Sequence, residues 1–399
     1  MNQKRIIIMV LILVSLILCV RYHARAPKRN YADFRVYHHT AIQFLNKQNI
    51  YERVDQAITP YKYSPAFALA ISPLGLLSRH HASIVFLLLN QVLILASFYL
   101  IAKLFQIPLN NKSTGVWCML TIAFNARGVL AVLDAGQVSI LILFLCLLAI
   151  WLVQQNKPMR AGLSAAMACL IKYLPIMLCV YWFMHKKYKA AIAILLAIIV
   201  LCLLPAMISG WEMNLTHLSN WLPNAQHTSI SAGELLDYKN QSLYSWFVRS
   251  LTRFAEDPFY YKIALVNWSV PTAVTIASLF GLILFGLSAW PLKQTNNKYD
   301  IGLIFILLAI LNPNAWFHNF VFLLVPSTLL IHHCLVNQWK DKVNTALLIS
   351  AFIMLNGIGE LLVGDGIQKA MQVRSPELIA ALILFIAIYR LKVIVGKDA

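Results

Sequence analysis

The sequence predicts an all-α polytopic membrane protein with about 10–12 membrane segments, and three observations carry that expectation. Of its 399 residues, 60% are hydrophobic and 12% charged, with a mean hydropathy of +0.70, whereas a soluble domain carries about 25% charged residues. The apolar residues fall in runs close to the ~20 residues that a bilayer requires. The Lys and Arg residues concentrate in the short connections between those runs, where topology and lipid headgroups account for a net charge of +18 better than nucleic acid does.

The first run, Ile6 to Val20 behind Lys4 and Arg5, has a signal-peptide outline with Ala24-Arg25-Ala26 as a small-x-small pattern. Pro27 directly after it argues for an uncleaved helix over 6–21. Further full-length spans are expected at 82–104, 115–133, 137–154, 190–208, 268–290, 316–336, 344–362 and 376–394. Two apolar stretches do not fit one crossing each. Ala161 to Met184 is interrupted by Lys172 and Pro175 and is flanked by cations at both ends, which predicts two half-helices returning to the same side with Lys172 at the turn. Ile301 to Leu311 is too short to cross unaided and runs into the polar break Asn312-Pro313-Asn314.

With the N-terminus inside, the short inner loops collect Lys103, Lys112, Lys157, Arg160, Lys186, Lys187, Lys189, Lys293, Lys298, Lys340 and Lys342, as the positive-inside rule requires. Arg21, Arg25, Lys28, Arg29 and Arg35 run against that rule, and the short loops decide the orientation. Of the 15 acids, all but Asp300, Asp341 and Asp398 then lie outside, together with the long connections 21–81 and 209–267. The whole chain, 1–399, reads as one integral membrane domain. Its location is expected to be the cytoplasmic membrane, with the chemistry on the outer face.

The first outer connection sets Asp33 about a dozen residues past a membrane-length run, at the start of a segment where Phe34, Tyr37, Ala41, Phe44 and Leu45 recur at helical spacing. Arg35, His38, His39 and Gln43 fall between them, which predicts an amphipathic helix in the membrane interface. The plain structural reading is that Asp33 caps this helix. Pro65 starts a further apolar stretch after Tyr61-Lys62-Tyr63-Ser64, a membrane-dipping hairpin by the same kind of reading.

No Gly-rich phosphate loop, HExxH, GxSxG or DxD occurs, so nucleotide handling and common hydrolase chemistry have no support. The 7 cysteines sit in or beside apolar runs without metal or disulfide spacing, and no metal or cofactor is expected. Polar groups do appear at membrane depth: Gly136-Gln137, Lys172, Asn240-Gln241-Ser242 with Arg249 and Arg253, and His318 behind Trp316. Each has an ordinary reading as a helix-start bonder, a snorkelling lysine, loop polarity or a buried donor. Their collection on one face beside an acid points to a functional site instead.

These residues resemble glycosyltransferase family 87. The resemblance rests on Asp33-Phe34-x-x-Tyr37, Tyr51, Tyr63-x-Pro65 with Pro73-Leu74, Gly136-Gln137, Ala161-Gly162 with Lys172-x-x-Pro175, Asn240-Gln241-Ser242 with Arg249, and Asn312-Pro313 with Trp316-x-His318, in that order. Gln48 and Asn319 depart from it, standing where the family usually has a glycine and a second histidine. The resemblance implies a GT-C-type fold and an inverting transfer of a hexose, mannose in that family, from a polyprenyl-phosphate donor to a lipid or glycan acceptor. It implies Asp33 as general base; Glu234 and Asp237, acids of the second outer connection, are reserve candidates on the residue reading alone. Arg35, Lys172, Arg249 and His318 become the pool of phosphate ligands, and Tyr37, Tyr63, Gln137, Asn240 and Gln241 the lining of the sugar or acceptor site. The competing class is a transporter or lipid flippase, which predicts an internal repeat and a polar path through the midplane; neither is found in the sequence. A non-catalytic assembly protein leaves the outer acids without a role.

Overall fold

A computed structural model describes residues 31–52, 59–108, 112–229, 232–253, 263–290 and 298–397. The expected first helix over 6–21, the small-x-small pattern and Pro27 lie outside them. The described chain is helical throughout, with no strand. In order, the main helices are α1 (Ala32–Leu45), α2 (Pro65–Ile71), α3 (Arg79–Leu104), α4 (Lys112–Ala135), α5 (Ser139–Gln154), α6 (Pro158–Ile171), α7 (Met177–Met184), α8 (Tyr188–Leu203), α9 (Trp211–Ser229), α10 (Leu243–Leu251), α11 (Val270–Ala289), α12 (Lys298–Ile310), α13 (Leu324–Val336), α14 (Lys342–Asn356), α15 (Asp365–Gln372) and α16 (Pro376–Lys397). Five stretches among the described residues are long and apolar enough to cross a membrane: 79–104, 114–135, 188–209, 270–289 and 317–336.

The interrupted stretch folds as its sequence predicts. α6 ends at Ile171, Lys172 is extended (φ −138°, ψ 132°), and a 3-10 turn over Leu174–Ile176 leads into α7. Both halves lie against the start of α8. A Cβ on Gly162, near the beginning of α6, would come within 2.4 Å of the Ala193 methyl, and the Cys179 thiol of α7 donates to the Ala191 carbonyl at 3.5 Å. The beginning of α6 and the first half of α7 therefore lie against the same turns of α8, with Lys172 between them in the chain.

α12 is the central helix. Every residue from Tyr299 to Ile310 is buried, so a rod of 13 residues, about 20 Å long, is wrapped by other helices and needs no full apolar span of its own. Asp300, in its first turn, meets His185 at 3.4 Å and Lys392 at 2.8 Å. At its other end, the Asn312–Asn314 break is bonded to the second long connection through Asn240. The lysine-rich turn after α7 and the two long connections thus occupy opposite ends of the molecule.

Three expectations need correction. The segment expected at 344–362 stops at Asn356, because Gly357 and Gly359 follow at once and glycine costs about 1 kcal/mol in a helix interior. The span expected at 137–154 forms a shorter helix of 16 residues over Ser139–Gln154. And α1 is not one buried stripe with a polar back. His38 and Gln43 are buried as well, His38 Nε2 sharing a hydrogen bond with the Leu77 carbonyl at 3.0 Å and the Gln43 amide donating to the Glu52 carbonyl at 3.3 Å. Those polar side chains satisfy backbone that folds over the helix, so α1 is embedded in its own connection. His217 of α9 ties the two long connections together, with Nε2 3.1 Å from the Gln48 carbonyl.

Candidate functional site

Asp33 stands in the first turn of α1 without capping it. The N-cap is Tyr31, held left-handed at φ 43°, and no side chain closes the helix end. The carboxylate is thus free of the structural task that the simplest reading gives it. It is only partly exposed, and Gln137 hydrogen-bonds it. Burial pushes the Asp33 carboxyl above its ordinary value, while the Gln137 bond and the charges of Lys62 and Lys172 pull the other way.

The turn that delivers Gln137 depends on Gly136. This residue has φ 66°, and a Cβ there would fall 2.7 Å from the Phe34 Cβ and 2.7 Å from Tyr31 Cδ1. Glycine alone lets the turn between α4 and α5 lie against the start of α1. Gln137 Oε1 accepts from the Tyr37 hydroxyl at 3.3 Å and from the Val138 amide at 3.2 Å. With that oxygen occupied, the amide N–H is the end that meets Asp33.

Beneath the carboxylate lies an aromatic floor. Tyr37 and Tyr63 share a hydrogen bond at 2.9 Å, with ring centroids 5.3 Å apart and edge to face, and Phe67 packs on both. Ser64 caps α2 by accepting from the Phe67 amide at 3.2 Å, and Pro65 opens the helix as its position predicts. The Tyr51 hydroxyl donates to the Tyr63 carbonyl at 2.7 Å and so holds the Tyr61–Tyr63 strip in place.

Two lysines act on the same carboxylate. Lys172 Nζ donates to Asn319 Oδ1 at 2.8 Å and lies 3.5 Å from Ser139 Oγ. Lys62 and Lys172 both act electrostatically on Asp33 and on His318. Asp33 and His318, from separate segments, thus share the field of the same two lysines. A carboxylate held among cations and a histidine can take a proton from a hydroxyl while an anion departs beside it.

Of the residues expected from the sequence, the structure brings Asp33, Tyr37, Tyr63, Gln137, Lys172 and His318 together. Arg35 is half-buried on α1, two residues past Asp33 and so about 200° around the helix. Asn240, Gln241 and Arg249 are occupied elsewhere. Asn240 donates to the carbonyls of Glu234 and Pro313 and accepts from the Ala315 amide; Gln241 donates to those of Tyr238 and Gln372. Arg249 donates to the carbonyls of Val373, Asp237 and Asn240 and to the hydroxyls of Ser245 and Ser375. Its guanidinium fastens loop backbone in this structure. Sequence reasoning missed Lys62, Ser139 and Asn319. Lys62 sits between two buried tyrosines in a strip read only for its aromatics, and Asn319 was legible only as a departure from a histidine pair.

An all-helical membrane protein with an acid, amides and cations gathered at one end is the class that fold and site define. The chain belongs to glycosyltransferase family 87, whose model matches residues 61–313, more than half of its length. It is thus a membrane glycosyltransferase, and the transporter reading falls away. The match starts after Asp33 and ends before His318, so those two residues rest on the geometry described above. No curated protein and no solved structure matches the chain.

Proposed function

We propose that the chain transfers a hexose, mannose by family resemblance, from a polyprenyl-phosphate donor to a hydroxyl of a lipid or glycan acceptor on the outer face of the cytoplasmic membrane. The observation that supports this is that Lys62 and Lys172 act on both Asp33 and His318, with Lys172 Nζ held 2.8 Å from Oδ1 of Asn319, the residue after His318. Asp33 takes the proton of the acceptor hydroxyl as its oxygen bonds to the anomeric carbon. The anomeric C–O bond to the phosphate breaks with inversion, and its electron pair leaves on the polyprenyl phosphate. Lys62, Lys172 and His318 surround the departing anion, where fixed cations in a site of low polarity stabilise developing charge. Tyr37, Tyr63 and Gln137 position the base and bound the sugar. Asn240, Gln241 and Arg249 act one step back, by holding the 312–315 break and the 372–375 turn against the second connection.

Incubation of purified protein with labelled polyprenyl-phosphate mannose and a membrane extract tests the reading. Label is expected in a lipid or glycan component with wild-type protein and not with Asp33→Asn. Absence of transfer from any polyprenyl-phosphate sugar, or undiminished transfer by Asp33→Asn, would overturn it.

A further inference from the structure

We propose that Asn319 is a positioning residue for this transfer, one that fixes the Lys172 ammonium without neutralising it, and that Asn314 and Glu234 hold Asn319 in turn. The proposal rests on the donor reading given above and extends it to residues that reading leaves idle.

Lys172 has two side-chain acceptors, Asn319 Oδ1 at 2.8 Å and Ser139 Oγ at 3.5 Å, and both are neutral. Among the described residues no carboxylate forms an ion pair with it. The charged and titratable groups facing it come from three directions: Asp33 on α1, Lys62 before α2 and His318 in the 3-10 helix Phe317–Leu323 before α13. An ion-paired carboxylate at the position of Asn319 would hold the ammonium equally well and cancel its charge. A neutral amide oxygen sets its direction and leaves the charge for an anionic ligand.

The amide is itself constrained to present oxygen. Asn319 is fully buried, and its Nδ2 donates to the Asn314 carbonyl at 3.0 Å, which leaves Oδ1 for Lys172. Asn314 Nδ2 donates in turn to Glu234 Oε2 at 3.0 Å. One chain of hydrogen bonds thus runs from an acid of the second long connection, through the break after α12, to the lysine at the α6–α7 turn. Glu234, a reserve candidate for the base, is spent on this chain.

The test uses the full chain in detergent as wild type, Asn319→Asp and Asn319→Leu. Competitive acetylation of lysine amines across a pH series, read by mass spectrometry, gives the titration midpoint of Lys172 without requiring activity. Loss of the acceptor in Asn319→Leu is expected to lower that midpoint, and the added carboxylate of Asn319→Asp to raise it. In the transfer assay both variants are expected to raise the donor KM by about tenfold, with the acceptor KM unchanged. Asn319→Asp is nearly isosteric and covers the case in which Asn319→Leu does not fold. A Lys172 midpoint unmoved in Asn319→Asp, or a donor KM equal to wild type, would overturn the proposal. Shifted midpoints in a protein that transfers from no polyprenyl-phosphate sugar would support the Lys172–Asn319 coupling and overturn the donor reading alone.

Discussion

The Tyr37 hydroxyl donates to Gln137 Oε1 at 3.3 Å, and that bond decides which end of the Gln137 amide is left for Asp33. Asp33, the proposed base, thereby has a donor in Gln137 and the field of Lys62 and Lys172, and its proton affinity is the balance between these and burial. The proposed mechanism needs the ionised carboxylate, so the rate is expected to rise with pH as Asp33 loses its proton. Because burial raises the Asp33 carboxyl, this acidic limb is expected above the usual carboxylate range, near 4 for free Asp as an approximate figure. Gln137→Leu removes an interaction that favours the ion and is expected to move the limb further up. A pH–rate profile of the two proteins checks the direction; a limb that moves down would contradict it.

Asp33→Asn separates catalysis from folding. Because Tyr31 rather than Asp33 occupies the N-cap, the variant loses no cap. Its stability is expected to stay within about 1 kcal/mol of wild type, as for a substitution outside the core. The transfer rate is expected to fall by roughly 10²- to 10⁴-fold, the usual contribution of a positioned base. Thermal unfolding in detergent beside the transfer assay checks both halves.

Gly136→Ala tests the approach of α1 to the α4–α5 turn. The new methyl meets Phe34 Cβ and Tyr31 Cδ1 at 2.7 Å on a backbone with φ 66°. Strain and overpacking together are expected to cost about 2–4 kcal/mol. The helix start can yield only by carrying Asp33 with it, so activity per folded molecule is expected to fall as well, at an unchanged donor affinity. Activity normalised to folded protein, with the donor KM measured separately, reads this.

How much of this was legible in the sequence depends on the kind of signal. The hairpin around Lys172 was readable because a cation, a proline and flanking lysines constrain a membrane segment strongly. The Asp33 helix was readable from its spacing, but the burial of its polar side was not. His38 and Gln43 bond to carbonyls of a connection whose path is set by tertiary packing. The same limit explains Arg249. A cation beside an Asn-Gln-Ser group looks like an anion site in one dimension, and only coordinates show five acceptors, three of them backbone, already around it. Lys62 was hidden in the opposite sense, since the tyrosines on either side give a sufficient reason for the strip to be there.

Arg249→Met tests whether that guanidinium serves the loop or the phosphate. It strips donors from the buried carbonyls of Asn240 and Val373 and the half-buried one of Asp237, and each orphaned buried acceptor costs about 1–3 kcal/mol. A loss of roughly 3 kcal/mol or more is expected, read as a lowered unfolding temperature. The donor KM of the remaining folded protein is expected to match wild type, whereas Lys62→Ala raises it. Equal donor defects in the two variants would return Arg249 to the phosphate site.

The far end of the molecule supplies a prediction that does not involve the reaction. Lys392 is fully buried, and its Nζ donates to the carbonyls of Leu287 at 3.1 Å, Ser288 at 2.9 Å and Trp290 at 3.0 Å. These are carbonyls at the end of α11, which no further helical turn can satisfy. Its three hydrogens are spent on them, so Asp300 Oδ1, 2.8 Å away, is held to Lys392 by charge. Asp300 Oδ2 accepts from the Tyr181 hydroxyl and lies near His185, both at 3.4 Å. Lys392→Met leaves an uncompensated buried carboxylate and three unmet carbonyls, and is expected to destabilise by about 3–5 kcal/mol. Asp300→Asn keeps the carbonyl contacts of Lys392 and is expected to cost less. In the double variant the orphaned charge is gone, so its loss is expected to be smaller than the sum of the two single losses by about 1–2 kcal/mol, the scale of coupling between groups in contact. Strict additivity in the thermal unfolding of the four proteins would show that the pair contributes no interaction of its own, and that Lys392 acts solely as a cap for α11.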